Sequence, residues 1–254
     1  VTVTVWGIEV WILLVLGAIT LVAGFVQATA GFGFALLAVP LMALVIPPQA
    51  AVVIVFLHGT VSSLLIAARH HDHIDRPETW RLSAGAVVAM PLGALILITA
   101  SAGVLRIALG VATCTAALWM LHPATKRRAD LVVRPSATYA VGALSGVLNT
   151  ALATNGPPLV VYLRARGMAT DAFRSTLSAV FTISNVVGLV ILVVSGAVHR
   201  PAVAAFVLTL PLGLMGWAVG NTVSGKLHNN HFIHLVDIVL LISGVLAILR
   251  AFIG

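Results

Sequence analysis

Leu82-Ser-Ala-Gly-Ala-Val-Val-Ala-Met90-Pro91-Leu92-Gly93-Ala-Leu-Ile-Leu-Ile-Thr-Ala100 runs without a single charged side chain. A helix over this stretch rises roughly 1.5 Å per residue and spans about the 30 Å of a bilayer's hydrocarbon core. The same reading applies on either side of it. Ten apolar segments follow one another: Trp6–Ala28, Gly31–Ile46, Ala50–Ala68, Leu82–Ala100, Val104–Leu121, Ser136–Ala153, Pro157–Leu163, Ser175–Ser195, Val203–Val223 and Phe232–Phe252. Hydrophobic residues make up 60% of the 254 and charged residues only 8%. A soluble domain carries about 25% charge to cover its surface. This chain cannot cover itself that way, so lipid is its solvent. The expected fold is an all-α polytopic membrane protein of 8–10 transmembrane helices, with residues 1–254 forming one membrane domain.

Two of the ten segments are short. Pro40 interrupts the second, and the seventh reaches Arg164 after a brief apolar run. They hold matching places in two halves. Met90-Pro91-Leu92-Gly93 recurs as Leu210-Pro211-Leu212-Gly213, and Arg76-Pro77 recurs as Arg200-Pro201. Ser62-Ser63 recurs as Ser184-Asn185, and Gly24 through Gln27 recurs as Gly146 through Asn149. The order is kept and the offset is nearly constant, which points to a duplication. The expected repeats are residues 1–121 and 136–254, joined by a cytoplasmic loop at 122–135. Each contains about five segments, with a broken or re-entrant second one. An odd number of segments per half implies that the two repeats lie inverted in the membrane.

Charge supports that arrangement. The net charge is +7. If every segment crosses, one side holds Arg69, Arg76, Arg81, Lys126, Arg127, Arg128, Arg134, Arg164, Arg166, Arg174 and Lys226, and the other holds Arg106, Arg200 and Arg250. The positive-inside rule then puts both termini outside, which is the periplasm for a bacterial inner-membrane protein. A basic balance in short loops reads as this rule and as attraction to lipid headgroups, not as a nucleic-acid footprint. The single cysteine, Cys114, excludes a disulfide framework. No cleavable signal peptide is expected ahead of the first apolar run.

The chemistry concentrates where the first segment of each half breaks into the second. One break reads Gly24-Phe-Val-Gln27-Ala-Thr-Ala-Gly31-Phe-Gly33-Phe34. The other reads Gly146-Val-Leu-Asn149-Thr-Ala-Leu-Ala-Thr154-Asn155-Gly156-Pro157-Pro158. Each places a side-chain amide, a break, and a new helix start. A helix start leaves backbone N–H groups unpaired and carries partial positive charge, so it suits an anion. Gly31, Gly33 and Gly156 allow close approach to the backbone. Gln27, Asn149, Thr154 and Asn155 offer further hydrogen bonds. Pro157 suits a first helical turn. Simple helix packing explains glycines equally well, but a polar break is costly in lipid unless it lines a cavity. His58, inside the third segment, can bond an anion, take a proton, or rest on a neighbouring carbonyl. Asn185 and its neighbours Ser62, Ser63 and Ser184 complete a polar lining or join helices.

Three stretches resemble the TauE/SafE family of sulfite exporters: Gly31-Phe-Gly-Phe-Ala-Leu-Leu-Ala-Val-Pro40, Asn155-Gly-Pro-Pro-Leu-Val-Val-Tyr162, and Phe173-Arg174-Ser-Thr. The resemblance covers nearly the whole chain. It implies a permease for small sulfur-containing anions, sulfite or an organosulfonate such as sulfoacetate, usually moved outward. It also implies a role for Arg174, which matches the arginine of the family motif. Phe32 and Phe34 stand where many relatives are richer in glycine, which makes the cleft narrower and more aromatic.

Several other functions fit less well. No Gly-x-x-x-x-Gly-Lys-Ser/Thr motif is present, so transport draws on a proton, an ion or the substrate's own gradient. Ser145 has no convincing base for an intramembrane protease. Arg69-His-His-Asp-His-Ile-Asp75 holds plausible metal ligands but lacks any defined ligand spacing, and reads as a solvated loop. No cofactor, metal or nucleic acid is expected. The expected partners are a small anion, the bilayer and a coupling proton or ion. Gly213, Gly216 and Gly220 suit packing within the chain or in a homo-oligomer.

Overall fold

The computed structural model describes residues 4–30, 32–67, 73–121, 135–223 and 230–253. Gly31 lies outside the described residues, as do most of the His-rich loop and the 122–134 linker. The chain opens on a hairpin of β1 (Thr4–Val5) and β2 (Ile8–Glu9), with Thr4 opposite Glu9 and Val5 opposite Ile8. Trp6 and Gly7 form its turn at φ 52° and 78°, the pair of positive φ values a tight hairpin turn requires. The hairpin shortens the first segment, whose apolar run began at Trp6, and everything after it among the described residues is helical, as the all-α expectation has it. Trp6 is exposed, as suits an aromatic ring at headgroup level.

Ten helices follow among the described residues: α1 (Val10–Ala30), α2 (Phe34–Met42), α3 (Pro48–Ala67), α4 (Arg76–Thr99), α5 (Ala102–Leu121), α6 (Pro135–Leu152), α7 (Gly156–Ala165), α8 (Thr170–Val194), α9 (Arg200–Val223) and α10 (Asn230–Ile253). Among the described residues, six helices (α1, α3, α4, α5, α8 and α9) are long and apolar enough to cross a membrane. Their surfaces fit lipid as solvent. Leu14, Val88, Leu118, Val190 and Val194 are exposed, while Thr20, Ser83, Thr113 and Ser184 are buried.

The chain forms two compact units, and the division falls inside α3. The first comprises Val1–His58, Ala100–Leu121 and Val198–Gly254. In it α1 packs along α9, α5 packs along α10, and α2 lies against α1, α5 and α10. The second comprises Gly59–Thr99 and His122–Ala197. There α4 packs along α6 and against α8, and α7 rests on α6 and α8.

Glycines set how closely these pairs approach. Lipid tails are as apolar as leucine, so helices in a bilayer gain by contact between small residues. In the first unit a Cβ added at Gly220 would lie 2.6 Å from Phe25 O, and one at Gly216 would overlap Leu21 O. Of the α9 glycines that suited either an internal or an intersubunit face, Gly216 and Gly220 therefore pack on α1, while Gly213 faces His58 of α3. In the second unit Gly85, Gly142 and Gly146 bring α6 and α4 together in the same manner.

The end of α6 is strained. Ala153 takes φ 55° while its neighbour Thr154 N–H reaches back to Leu148 O at 3.1 Å. An L-residue in this region costs about 1–2 kcal/mol, against about 0.5–1 kcal/mol of chain entropy for a glycine. Ala153→Gly should therefore stabilise the protein by up to about 1 kcal/mol. A thermal melt in detergent checks this, and a lowered midpoint would contradict it.

Candidate functional site

The start of α2 is the polar feature of the first unit. Gly33 caps it at φ 106°, a conformation that favours glycine, and no side chain caps the helix. Leu37 N–H bonds Gly33 O at 3.1 Å. The N–H groups of Phe34, Ala35 and Leu36 precede that first intrahelical bond and lack intrahelical acceptors. Gln27 is buried near the end of α1, and its Oε1 has no partner among the described residues. A half-turn of the amide would present Nε2 there instead.

Phe34 and His58 come together. Their rings stack at 5.5 Å between centroids and 19° between planes, and Phe206 meets the imidazole edge-on at 4.8 Å. His58 is 2% exposed. Its Nδ1 lies 2.9 Å from Ile54 O and its Nε2 lies 3.4 Å from Thr209 Oγ1. The sequence had suggested His58 but gave no sign of Phe206 or Thr209, which lie on the distant segment α9.

In the second unit the amides form a chain. Asn149 Nδ2 donates to Asn185 Oδ1 at 3.3 Å, and Asn185 Nδ2 donates to Ser63 Oγ at 3.3 Å. Thr182 Oγ1 adds a bond to Ser63 O at 3.1 Å. Two of the residues matched between the halves, Ser63 and Asn185, thus touch each other. Asn149 and Asn185 have donors committed here, which leaves them less free for a ligand than their sequence suggested.

The start of α7 is different. Asn155 caps it without a side-chain bond to the helix, while its carbonyl accepts Ser145 Oγ at 3.1 Å. Gly156 opens the helix, and Pro157 and Pro158 follow. Prolines have no N–H, so two of the helix's first donors are missing. Side chains must supply what the backbone lacks. Asn155 Nδ2 and Thr154 Oγ1 are both buried, and neither has a partner among the described residues. Ser178 and Ser184 on α8 also carry buried, unpartnered hydroxyls. Buried polar groups normally find partners, so unpaired ones at a helix start call for an explanation.

A family model described as sulfite exporter TauE/SafE matches residues 16–247. The chain belongs to the TauE/SafE sulfite exporter family. A search of the curated proteins and a search of the solved structures return no match. Membership makes this a multi-pass membrane protein of a transporter family, not an enzyme, whose substrate is a small anion.

Other residues of the TauE/SafE motifs fall outside this polar set. Arg174 is exposed, on the second turn of α8. Its neighbour Phe173 instead receives the Arg164 guanidinium, 6.0 Å from the ring centroid. Tyr162, at the far end of the α7 motif, donates to a residue the sequence had not singled out. Its hydroxyl bonds Glu78 Oε1. Glu78 is 2% exposed, on the first turn of α4, and also meets Thr138 Oγ1 at 3.4 Å, Arg81 Nη1 at 3.5 Å and Arg166 Nε at 3.8 Å. This network holds α4, α6 and the C-terminal end of α7 together.

Proposed function

We propose that the chain is a secondary transporter exporting a small sulfur-containing anion, sulfite or an organosulfonate such as sulfoacetate, by alternating access. The observation that carries the reading is the pair of buried, unpartnered groups, Thr154 Oγ1 and Asn155 Nδ2, at the start of α7. Both can donate to an oxyanion, where a full buried charge would be expensive. The uncapped start of α2 offers backbone donors for the same chemistry. Gln27, Gly31, Gly33, Phe34, His58, Asn149, Gly156, Pro157 and Asn185 complete the substrate-binding set, with Arg174 drawing anions to the cytoplasmic mouth.

The inverted-repeat reading has support of its own. The pairing of α1 with α9 and of α6 with α4 exchanges equivalent helices between the two repeats. Equivalent glycines, Gly24 and Gly146, sit at those two contacts. The charge bias favours a bacterial inner membrane with both termini periplasmic.

Thermal stabilisation of the purified protein by sulfite, sulfate, thiosulfate, sulfoacetate, taurine, acetate and lactate tests the site. A ligand binding only the folded state raises the midpoint with occupancy. A saturable shift by a sulfur oxyanion or sulfonate is expected. Asn155→Ala should weaken it about tenfold, the equivalent of one hydrogen bond to a charged ligand. A shift that survives Asn155→Ala and Gln27→Ala unchanged would sink the assignment.

A further inference from the structure

We propose that His58 is a proton-binding site, protonated when an anion occupies the start of α2, so that one proton is taken up as each anion binds. The inference rests on the anion-site reading above and adds a linked proton to it.

Hydrogen-bond inventory carries the case. Ile54 O lies 2.9 Å from Nδ1, so Nδ1 bears a proton and donates it. At the other nitrogen stands Thr209 Oγ1, a hydroxyl with one proton to give. Three acceptors compete for that proton: Ala205 O at 2.7 Å, Phe206 O at 3.3 Å and His58 Nε2 at 3.4 Å. The shortest is the Ala205 carbonyl. With the proton there, Oγ1 turns a lone pair toward Nε2. A neutral ring then sets one acceptor against another. An imidazolium resolves the conflict, because Nε2–H donates to Oγ1, Oγ1–H donates to Ala205 O, and Nδ1–H donates to Ile54 O. Every polar atom of this His58–Thr209 relay is then satisfied. The face of Phe34, stacked 5.5 Å away, also favours a cation, since rings attract positive charge within about 6 Å.

Among the described residues, the proton nevertheless lacks a protein counter-charge on the elements that meet the ring. Of these elements, α2 has no titratable residue and α9 has only Arg200, at its first position. The ring's neighbours there are Phe34, Phe206, Thr209 and Gly213. Within α3, His58 is the one titratable side chain. A lone imidazolium away from water is unfavourable. An anion at the N–H groups of α2 would stand beside Phe34, the residue whose ring lies on the imidazole. It supplies the missing charge, and each charge makes the other affordable.

The test measures affinity for sulfate and for sulfoacetate, which do not titrate in the range used, from about pH 8 to about pH 5. Uptake of one proton per anion makes affinity rise by up to about tenfold for each unit of acidification. His58→Gln, checked for folding by its melt, should bind with a nearly flat profile. Thr209→Val removes the acceptor facing Nε2 and should move the acidic strengthening to lower pH. It carries the test if the glutamine variant does not fold. A flat profile in the unsubstituted protein, or a slope that survives in His58→Gln, overturns the proposal and leaves the anion site standing. If neither anion binds at any pH, the anion-site reading itself fails, and this inference with it.

Discussion

Glu78→Ala is expected to cost about 3 kcal/mol of stability, and Glu78→Gln only about 1 kcal/mol. The difference follows from what each substitution leaves behind. Glu78 Oε1 is the acceptor on which Tyr162 and Thr138 converge, and those two hydroxyls are themselves 2.6 Å apart. Thr138 can donate to Tyr162 and Tyr162 to the carboxylate, a relay through three helices. Breaking a buried ion pair costs about 3–5 kcal/mol when a charge is stranded. Here the partners are not stranded. The Arg81 and Arg166 side chains are 40% and 32% exposed, and both can turn to water. Alanine should therefore fall at the low end of that range, through lost hydroxyl bonds and the space vacated. Glutamine keeps an oxygen for Tyr162 and loses only the charge-assisted part. Unfolding in detergent reads both numbers. Because Tyr162 anchors one end of α7 while Asn155 stands at the other, Glu78→Ala should also blunt the anion-induced thermal shift more than glutamine does. An alanine variant as stable as the starting protein would mean that the carboxylate fastens nothing.

None of that network was legible in the sequence. Glu78 follows Arg76-Pro77 at a helix start, where an acidic residue is favourable simply by meeting the helix dipole. Its partner Tyr162 is 84 residues away, and no local pattern links a tyrosine at the end of one short segment to an acid at the start of another. The membrane spans were legible for the opposite reason. A charge-free run of that length has one solvent that suits it, and the signal is wholly local. The short helices α2 and α7 were legible through their breakers: Gly33 must hold a positive φ, and Asn155-Gly156-Pro157-Pro158 ends one helix and begins the next. What those breakers left open was which donors remain. Only the placed side chains distinguish Asn149, tied to Asn185, from Asn155, whose Nδ2 is unpaired. The hairpin at residues 4–9 was hidden because Trp6 and Ile8 extend the apolar run, and hydropathy does not see the reversal at Gly7.

Gly146→Ala should prevent accumulation of folded protein, whereas Gly17→Ala should be tolerated. Both glycines sit at helix contacts, so composition alone would treat them alike. At Gly146 an added Cβ overlaps Ala86 O and comes within 2.6 Å of Ala86 Cα and 2.7 Å of Ala86 C. All three are backbone atoms of α4, and none can rotate aside. The helices must separate, and every other contact along α4 and α6 loosens with them, including those at Gly85 and Gly142. Overpacking by one methyl usually costs about 1–3 kcal/mol where neighbours can adjust. A rigid backbone that cannot adjust places this substitution at or above the upper figure, a large share of the roughly 5–15 kcal/mol that holds a typical protein together. At Gly17 the obstacle is Leu212 Cδ1 at 2.5 Å, the end of a side chain that can change rotamer, with the next atom 4.0 Å away. That change should cost under about 1 kcal/mol. Gly24→Ala supplies the decisive comparison. Its Cβ would strike Gly213 O and approach Trp217 N to 3.1 Å, so α1 and α9 should part as α6 and α4 do. If Gly24→Ala and Gly146→Ala fail together in a monodisperse-yield assay while Gly17→Ala folds, both close crossings are indispensable. If Gly146→Ala folds with an unchanged melt, α4 and α6 do not approach as closely as these glycines require.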